Sequence, residues 1–216
     1  MTYKDTLFFV AQCLTITLES NNREEIEAKL KLEKIDWEAV VKVSTSHYVM
    51  PALYCNLKRV GFLIYLPKDL VAFMEHITEL NRERNHQIIE QSRQLNELLE
   101  ANDITPVFLK GTGNLLEGLY EDIAERMVGD IDFIVLNVDY LKAIGILLRN
   151  NYQTKIKEKY IYPFRHYPRL TTDNGIAAIE IHNELIKEKY LPEYNFEVIS
   201  KDVQVLNEVS VLCFED

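Results

Sequence analysis

The segment Gly129–Val135 reads GDIDFIV, and the rest of the chain is best interpreted from it. Side chains of a β-strand alternate between two faces, so Asp130 and Asp132 project from one face and Ile131 and Phe133 from the other. The strand therefore pairs two converging carboxylates with an apolar face. Carboxylates this close repel each other, and a hard cation with oxygen ligands such as Mg²⁺ relieves the repulsion. The alternative is a strand end whose aspartates face water.

A glycine-containing turn lies upstream, where Phe108–Asn114 reads FLKGTGN. We expect this turn to lead from a strand into a helix, whose first backbone N–H groups are free to bind an anion. Lys110 adds a positive charge, Gly111 adds flexibility and Thr112 adds a hydroxyl. These groups favour a phosphate-binding turn, although the Walker pattern GxxxxGK[ST] is absent. For Lys110, an ion pair with a surface carboxylate is an equally good interpretation.

Strand and helix patterns alternate after Asn102, which is typical of an α/β domain. The patterns predict strands over 104–109 and 131–136 and helices over 112–120 and 139–150. Two β-type runs, 165–172 and 176–182, flank Asp173–Gly175. The Asn-Gly pair in this turn predicts an antiparallel hairpin with positive φ at both turn residues. The alternating tail from 203 to 214 predicts one more hairpin around Asn207 and Glu208.

The periodicity of residues 5–100 is helical and predicts four or five helices. The helix start and stop signals are Asp36, Pro51, Gly61 and Pro67. The last predicted helix runs from 67 to 100, and its polar stretch at 81–87 indicates a break or an exposed middle. We therefore expect a helical region over residues 1–101 and an α/β domain over 102–216. The predicted fold class is α/β or α+β, with a mixed sheet and flanking helices.

The composition of the 216 residues limits the possible functions. A hydrophobic content of 47% and a charged content of 27% indicate a globular protein. The formal charge of -10 makes nucleic acid or anionic lipid an unlikely partner. Cys13, Cys55 and Cys213 form no CxxC pair, which argues against a disulfide framework. No run of 18 apolar residues occurs, so we expect a cytoplasmic protein without a membrane-spanning helix.

Several short motifs occur in an order that points to a known family. They are Leu109-Lys110-Gly111, Tyr120, Arg126, the DIDFIV run at 130–135 and Tyr152 after a helix. Together they resemble the bacterial uncharacterised nucleotidyltransferase family, a member of the DNA polymerase β-like superfamily. The resemblance covers about residues 104–152 and continues at 179–182, where the family has an acidic-x-His strand. The chain departs from the family at Asn151, where Gly is usual, and at Asn183, where an aromatic residue is common.

The resemblance implies a Mg²⁺- or Mn²⁺-dependent enzyme that transfers a nucleoside monophosphate from an NTP to an acceptor. It implies a catalytic, metal-binding group made of Asp130, Asp132 and Glu180. It also implies that Gly111 and Thr112 receive the triphosphate. The acceptor stays open between a small molecule and a protein side chain. Members of the family continue into a further helical region after a segment like 211–216, so the chain is expected to be either a truncated or a short member.

Several residues keep two interpretations. Lys110 and Arg126 are candidates for binding the nucleotide phosphates, but for Arg126 a structural role in holding the loop before Gly129 is the favoured interpretation. His182 shares a strand face with Glu180 and is a candidate partner of the carboxylates or a base at the acceptor site; a histidine with no role in the site is an equally good interpretation. A basic stretch over 155–169 is suited to attracting phosphate or to protecting a hairpin edge; its cations are Lys155, Lys157, Lys159, Arg165 and Arg169. The alternative function is a non-catalytic NTP-binding or regulatory module.

Overall fold

The structure is a computed structural model that describes residues 1–32, 35–154, 166–185 and 196–212. The described chain forms two compact units. The first contains residues 1–85 and 122–127, and the second contains residues 86–121 and 128–216 without the undescribed segments. The division at residue 102 that the sequence indicates remains a prediction.

The first unit is helical. Its helices are α1 (Tyr3–Leu14), α2 (Ser20–Leu32), α3 (Trp37–Ser46), α4 (Met50–Arg59) and the beginning of α5 (Lys68–Glu100). The predicted signals act where expected: Asp36 accepts a hydrogen bond from the Ala39 amide, and Pro51 lies in the first turn of α4. Gly61 follows α4 with a φ of 76°, a conformation that glycine adopts without a steric penalty. The core is apolar, with Cys13, Ile26 and Leu57 almost fully buried.

Helix α5 continues through the polar stretch at 81–87 without a break. The side-chain amide of Asn81 donates to the backbone carbonyl of Ala124 at 2.7 Å. The side-chain amide of Asn85 donates to the backbone carbonyl of Arg126, also at 2.7 Å. Both asparagines are buried, because the segment 122–127 offers them carbonyl acceptors. The predicted break is therefore absent. The middle of the helix is exposed in part: Glu83, His86 and Gln87 are exposed, whereas Asn81 and Asn85 are buried as hydrogen-bond donors to a neighbouring loop.

The second unit contains a five-stranded mixed sheet. Its strands are β1 (Val107–Phe108), β2 (Asp130–Ile134), β3 (Ala178–His182), β4 (Val203–Leu206) and β5 (Val209–Leu212), in the spatial order β3-β2-β1-β5-β4. The β2–β3 and β1–β5 pairs are parallel, whereas β1–β2 and β4–β5 are antiparallel. Helices α6 (Lys110–Glu117), α7 (Tyr140–Arg149) and the short α8 (Phe196–Ile199) belong to the same unit. This architecture confirms the predicted fold class.

The apolar residues of β2 and β3 alternate as the sequence predicts. Ile131 and Phe133 of β2 and Ile179 and Ile181 of β3 are all 0% exposed. The rings of Phe108 and Phe133 pack with their centroids 6.0 Å apart. This packing fixes which way the intervening residues of each strand project, because a shift of one residue in register would move every side chain to the opposite face.

The two predicted hairpins have different outcomes. The tail hairpin is confirmed: β4 and β5 are joined by Asn207 and Glu208, whose φ values are 49° and 69°. The segment 166–170 runs antiparallel to β3, as predicted, and the amides and carbonyls of Leu170 and Ile179 bond to each other. The predicted positive φ at Asn174 and Gly175 is wrong. Arg165, where this hairpin was predicted to begin, lies outside the described residues.

A buried glutamine accounts for the shape of the 172–177 turn. The Gln91 carboxamide accepts hydrogen bonds from the amides of Ile176 and Ala177 and donates to the carbonyl of Ala177. A Cβ at Gly175 would lie 2.9 Å from Gln91 Nε2. Glycine at this position therefore gives room for the end of a side chain from α5, and its backbone is not left-handed.

In the part of the chain that the structure describes, no helix has the length and apolar content needed to cross a membrane. This holds for α5 as well, although it has 33 residues.

The tail hairpin generates a stability prediction. Glu208 occupies a left-handed conformation that disfavours side chains with a Cβ by about 1–2 kcal/mol. Glu208→Gly should raise the free energy of unfolding by about 1 kcal/mol, measured by urea denaturation. The substitution retains the backbone carbonyl of residue 208, which accepts a hydrogen bond from the side-chain amide of Asn96. As a control, Asn207→Gly should have a smaller effect because asparagine tolerates this conformation. A loss of stability in Glu208→Gly would contradict the strain argument.

Candidate functional site

The pairing of β2 with β3 brings the predicted acidic residues together. In this parallel register Asp132 lies directly opposite Glu180, and Ile134 lies opposite His182. Asp130 and His182 are each two residues from this central pair and share its face of the sheet. The structure therefore places Asp130, Asp132 and Glu180 on one face of two adjacent strands, with His182 beside them.

The turn after β1 adds Lys110 to this group. The amide of Leu109 donates to the carbonyl of Asp132 at 2.9 Å, which places the next residue, Lys110, beside β2. Its ammonium nitrogen lies 2.5 Å from Asp132 Oδ1 and 3.3 Å from His182 Nε2. Lys110 has a φ of 54°, an uncommon backbone conformation for a residue with a Cβ. Such strain is frequent at functional sites.

Arg169 forms ion pairs with the other two carboxylates. Its Nη2 lies 2.7 Å from Asp130 Oδ2, and its Nε lies 2.7 Å from Glu180 Oε1. The position follows from the hairpin, because Arg169 precedes Leu170, which pairs with Ile179 of β3. Of the predicted basic stretch, Arg169 thus contacts the carboxylates directly. Its other cations lie outside the described residues: Lys155, Lys157, Lys159 and Arg165.

The two aspartates differ in their electrostatic environment. Burial raises the pKa of Asp130, and repulsion by Glu180 and Asp132 adds to this effect against the attraction of Arg169. Burial also favours a higher pKa for Asp132, but hydrogen bonds from His182 and Lys110 outweigh it and lower the pKa below its ordinary value. Asp132 is therefore held as an anion more firmly than Asp130.

Among the described residues, the turn that is predicted to bind phosphate has backbone amides without a partner inside the helix. The first bond within α6 runs from the Gly113 amide to the Leu109 carbonyl, at 3.0 Å, so the amides of Lys110, Gly111 and Thr112 precede it. The Thr112 hydroxyl is buried and donates to the Asp130 carbonyl at 3.0 Å. This bond joins α6 to β2.

Gly113 has a structural role that the sequence did not reveal. A Cβ at this position would lie 2.9 Å from the carbonyl oxygen of Phe108, a backbone atom that cannot easily move. Glycine therefore allows the first turn of α6 to pack closely against the end of β1.

Three of these side chains have the chemistry and spacing of a metal site. Asp132, Glu180 and His182 are buried, and each offers one ligand atom within 4.8 Å of the others. Two carboxylates and one imidazole form a donor set that suits a divalent cation. The predicted metal group contained Asp130 in place of His182. The sequence carried the signal for His182, since it lies two residues after Glu180 on the same strand.

Arg126 belongs to the first unit. Its backbone carbonyl accepts hydrogen bonds from the side-chain amides of Asn81 and Asn85. The backbone of Arg126 therefore helps to hold the segment 122–127. Its side chain is exposed. The predicted contact of Arg126 with phosphate remains a prediction.

Comparison with known proteins identifies the family. A family model described as "Uncharacterised nucleotidyltransferase" matches residues 33–216. The mixed sheet is consistent with a nucleotidyltransferase-type fold, and the chain belongs to this uncharacterised nucleotidyltransferase family, as its motifs indicated. The match also includes most of the helical first unit, well beyond the motifs at 104–152. Searches of curated proteins and of solved structures found no match.

The different environments of the two aspartates predict different stability effects. Asp130→Asn should leave the melting temperature unchanged or raise it, because the raised pKa of Asp130 means that folding disfavours its charged form. Asp132→Asn should lower the free energy of unfolding by about 1 kcal/mol, because charge-assisted hydrogen bonds become neutral ones. Thermal and urea denaturation at neutral pH without metal would measure both. Equal effects of the two substitutions on stability would contradict the inference that Asp132 is held as an anion more firmly than Asp130.

Proposed function

We propose that the protein is a divalent-metal-dependent nucleotidyltransferase that transfers a nucleoside monophosphate from an NTP to an acceptor nucleophile. The observation that carries the proposal is the buried group of Asp132, Glu180 and His182, beside the free amides of α6, in a chain of the nucleotidyltransferase family. Metal ligands and a phosphate-binding turn are the two parts that phosphoryl transfer requires, because its catalysis rests on positioning and on charge stabilisation.

The carboxylates are assigned the role of metal ligands. Asp132 and Glu180 would hold a divalent ion such as Mg²⁺ or Mn²⁺, with Asp130 next to them on the same face. When bound, such an ion supplies positive charge that stabilises the transferring phosphoryl group. The low pKa of Asp132 keeps this ligand charged at neutral pH. Metal coordination requires the deprotonated form, so the environment of Asp132 suits the role.

The cations and amides around the carboxylates are assigned to the triphosphate. The amides of Lys110, Gly111 and Thr112 precede the first bond of α6, at the end of the helix that favours anions. Lys110 and Arg169 now neutralise carboxylates, and each is more than half exposed. We expect both side chains to exchange carboxylate oxygens for phosphate oxygens when a nucleotide binds, because the bound metal then neutralises the carboxylates.

The acceptor is assigned only by class. The formal charge of -10 disfavours nucleic acid, so we propose a small molecule or a protein side chain as the acceptor. A cytoplasmic location remains a prediction from the sequence.

One observation favours a second function. Arg169 and Lys110 together contact all three acidic side chains, so two positive charges compensate most of the carboxylate charge without a metal. Such a site, without a metal, is sufficient for a module that binds NTP without catalysis or that only regulates a partner. Metal-dependent nucleotide binding separates the two functions.

The first test is binding of a non-hydrolysable NTP analogue, measured by calorimetry with and without Mg²⁺ or Mn²⁺. We expect binding to require the metal and to be lost in Asp132→Asn, which removes the charge from a buried ligand. The matched control is Asp202→Asn, just before β4 at the opposite edge of the sheet, which should bind as the wild type does. Metal-independent binding, equal in all three proteins, would favour the non-catalytic module.

A second test uses the internal cation Arg169. Arg169→Gln should tighten Mn²⁺ binding in the absence of nucleotide by about two- to fivefold, since an exposed ion pair contributes up to about 1 kcal/mol. The same variant should bind the NTP analogue more weakly in the presence of metal.

The control for the internal cation is Arg149→Gln, which removes one positive charge from the end of α7. This variant should change neither the affinity for Mn²⁺ nor the affinity for the NTP analogue. Unchanged or weaker Mn²⁺ binding in Arg169→Gln would show that the guanidinium does not compete with the ion.

A further inference from the structure

We propose that His182 is itself a metal ligand, through Nε2, and that this nitrogen makes the site prefer a transition-metal ion such as Mn²⁺ over Mg²⁺. The inference rests on the proposed function, which requires only that Asp132 and Glu180 hold a divalent ion. It adds a ligand and a metal preference that carboxylates alone would not give.

The distances between the ligand atoms support direct coordination. His182 Nε2 lies 2.8 Å from Asp132 Oδ1 and 3.9 Å from Glu180 Oε2. Ligand atoms about 2.1 Å from one ion are about 3 Å apart when adjacent and about 4.2 Å apart when opposite. The nitrogen therefore has the spacing of an adjacent ligand to Asp132 and nearly that of an opposite ligand to Glu180.

A positive charge already lies beside these ligand atoms. The Lys110 ammonium nitrogen lies 2.5 Å from Asp132 Oδ1 and 3.3 Å from His182 Nε2. His182 Nε2 donates to the same Asp132 oxygen at 2.8 Å, so both nitrogens are directed at one carboxylate oxygen. A divalent ion bound here would take the place of the ammonium and of the Nε2 proton, and the Nε2 lone pair would then face the ion.

The imidazole is positioned by the fold. His182 is 5% exposed, and its backbone pairs with Ile134 on one side and with His166 on the other. The ring packs against the His166 ring, with centroids 5.4 Å apart. A ring confined between two strands loses little conformational freedom when it binds an ion, which favours affinity.

The donor set determines the metal preference. Mg²⁺ favours oxygen ligands and retains much of its water, whereas imidazole nitrogen suits transition-metal ions. Asp130 would complete an all-oxygen set, but the group with the closest ligand atoms contains His182 in its place, while Asp130 pairs with Arg169. Two carboxylates and one imidazole consequently favour Mn²⁺ over Mg²⁺ more than three carboxylates would.

The inference is tested by pulsed electron paramagnetic resonance of Mn²⁺ bound to the full chain, which detects coupling to a coordinated nitrogen. The wild type should show this coupling, and labelling with ¹⁵N-histidine should alter it without any substitution. His182→Gln should abolish the coupling and weaken Mn²⁺ binding by about tenfold or more, since even partners of metal ligands contribute about 10–100-fold to affinity. Calorimetry should show a smaller change for Mg²⁺, so the Mn²⁺ preference falls.

The matched control is His166→Gln, the same change in the neighbouring ring that lies outside the ligand group. It should retain both the nitrogen coupling and the metal preference. Mn²⁺ binding that depends on Asp132 but shows no nitrogen coupling in the wild type would overturn the inference and leave the proposed function standing. Mn²⁺ binding that is unaffected by Asp132→Asn would instead count against the proposed function. If His182→Gln fails to fold, the ¹⁵N-labelled wild type together with His166→Gln still decides the question.

Discussion

The parallel pairing of β2 with β3 is the constraint on which the site depends. Its register places Asp132 opposite Glu180 and buries Ile131, Phe133, Ile179 and Ile181 on the other face. The apolar face specifies the register because a slip of one residue would move these four side chains to the polar face and place the acids in the apolar core. Hydrophobic packing therefore sets the acids side by side despite their mutual repulsion.

The repulsion between these acids is compensated within the chain. Lys110 contacts Asp132, and Arg169 joins Asp130 to Glu180. Both cations are partly exposed, and exposed ion pairs are weak, so they can be exchanged for a metal and a phosphate at low cost. A site that must accept a divalent ion and a nucleotide benefits from such replaceable partners. Fully buried partners would be harder to replace, because breaking a buried ion pair leaves an uncompensated charge.

Side-chain amides replace regular backbone pairing at several places in the fold. Asn81 and Asn85 bind the carbonyls of the 122–127 segment, and Gln91 binds the turn before β3. The side-chain amides of Asn81 and Asn85 each donate to two carbonyls, and that of Gln91 both donates and accepts, so one buried residue holds an irregular loop that has no strand or helix to join. From the sequence, the polar stretch of α5 indicated exposure or a break. Periodicity cannot reveal such a role, since a buried donor and a solvated one look alike until the acceptor is known.

The sequence by itself determined the fold class, the family, the helix signals, the face shared by Asp130 and Asp132 and the face shared by Glu180 and His182, because local alternation and turn chemistry depend on neighbouring residues. The Asn207–Glu208 hairpin belongs to this set. Only the tertiary structure decided which cation meets which carboxylate, that His182 joins Asp132 and Glu180, and that Gly113 and Gly175 serve close packing. Those contacts join residues far apart in the chain, and their distances follow from strand register and loop path, which no local pattern encodes.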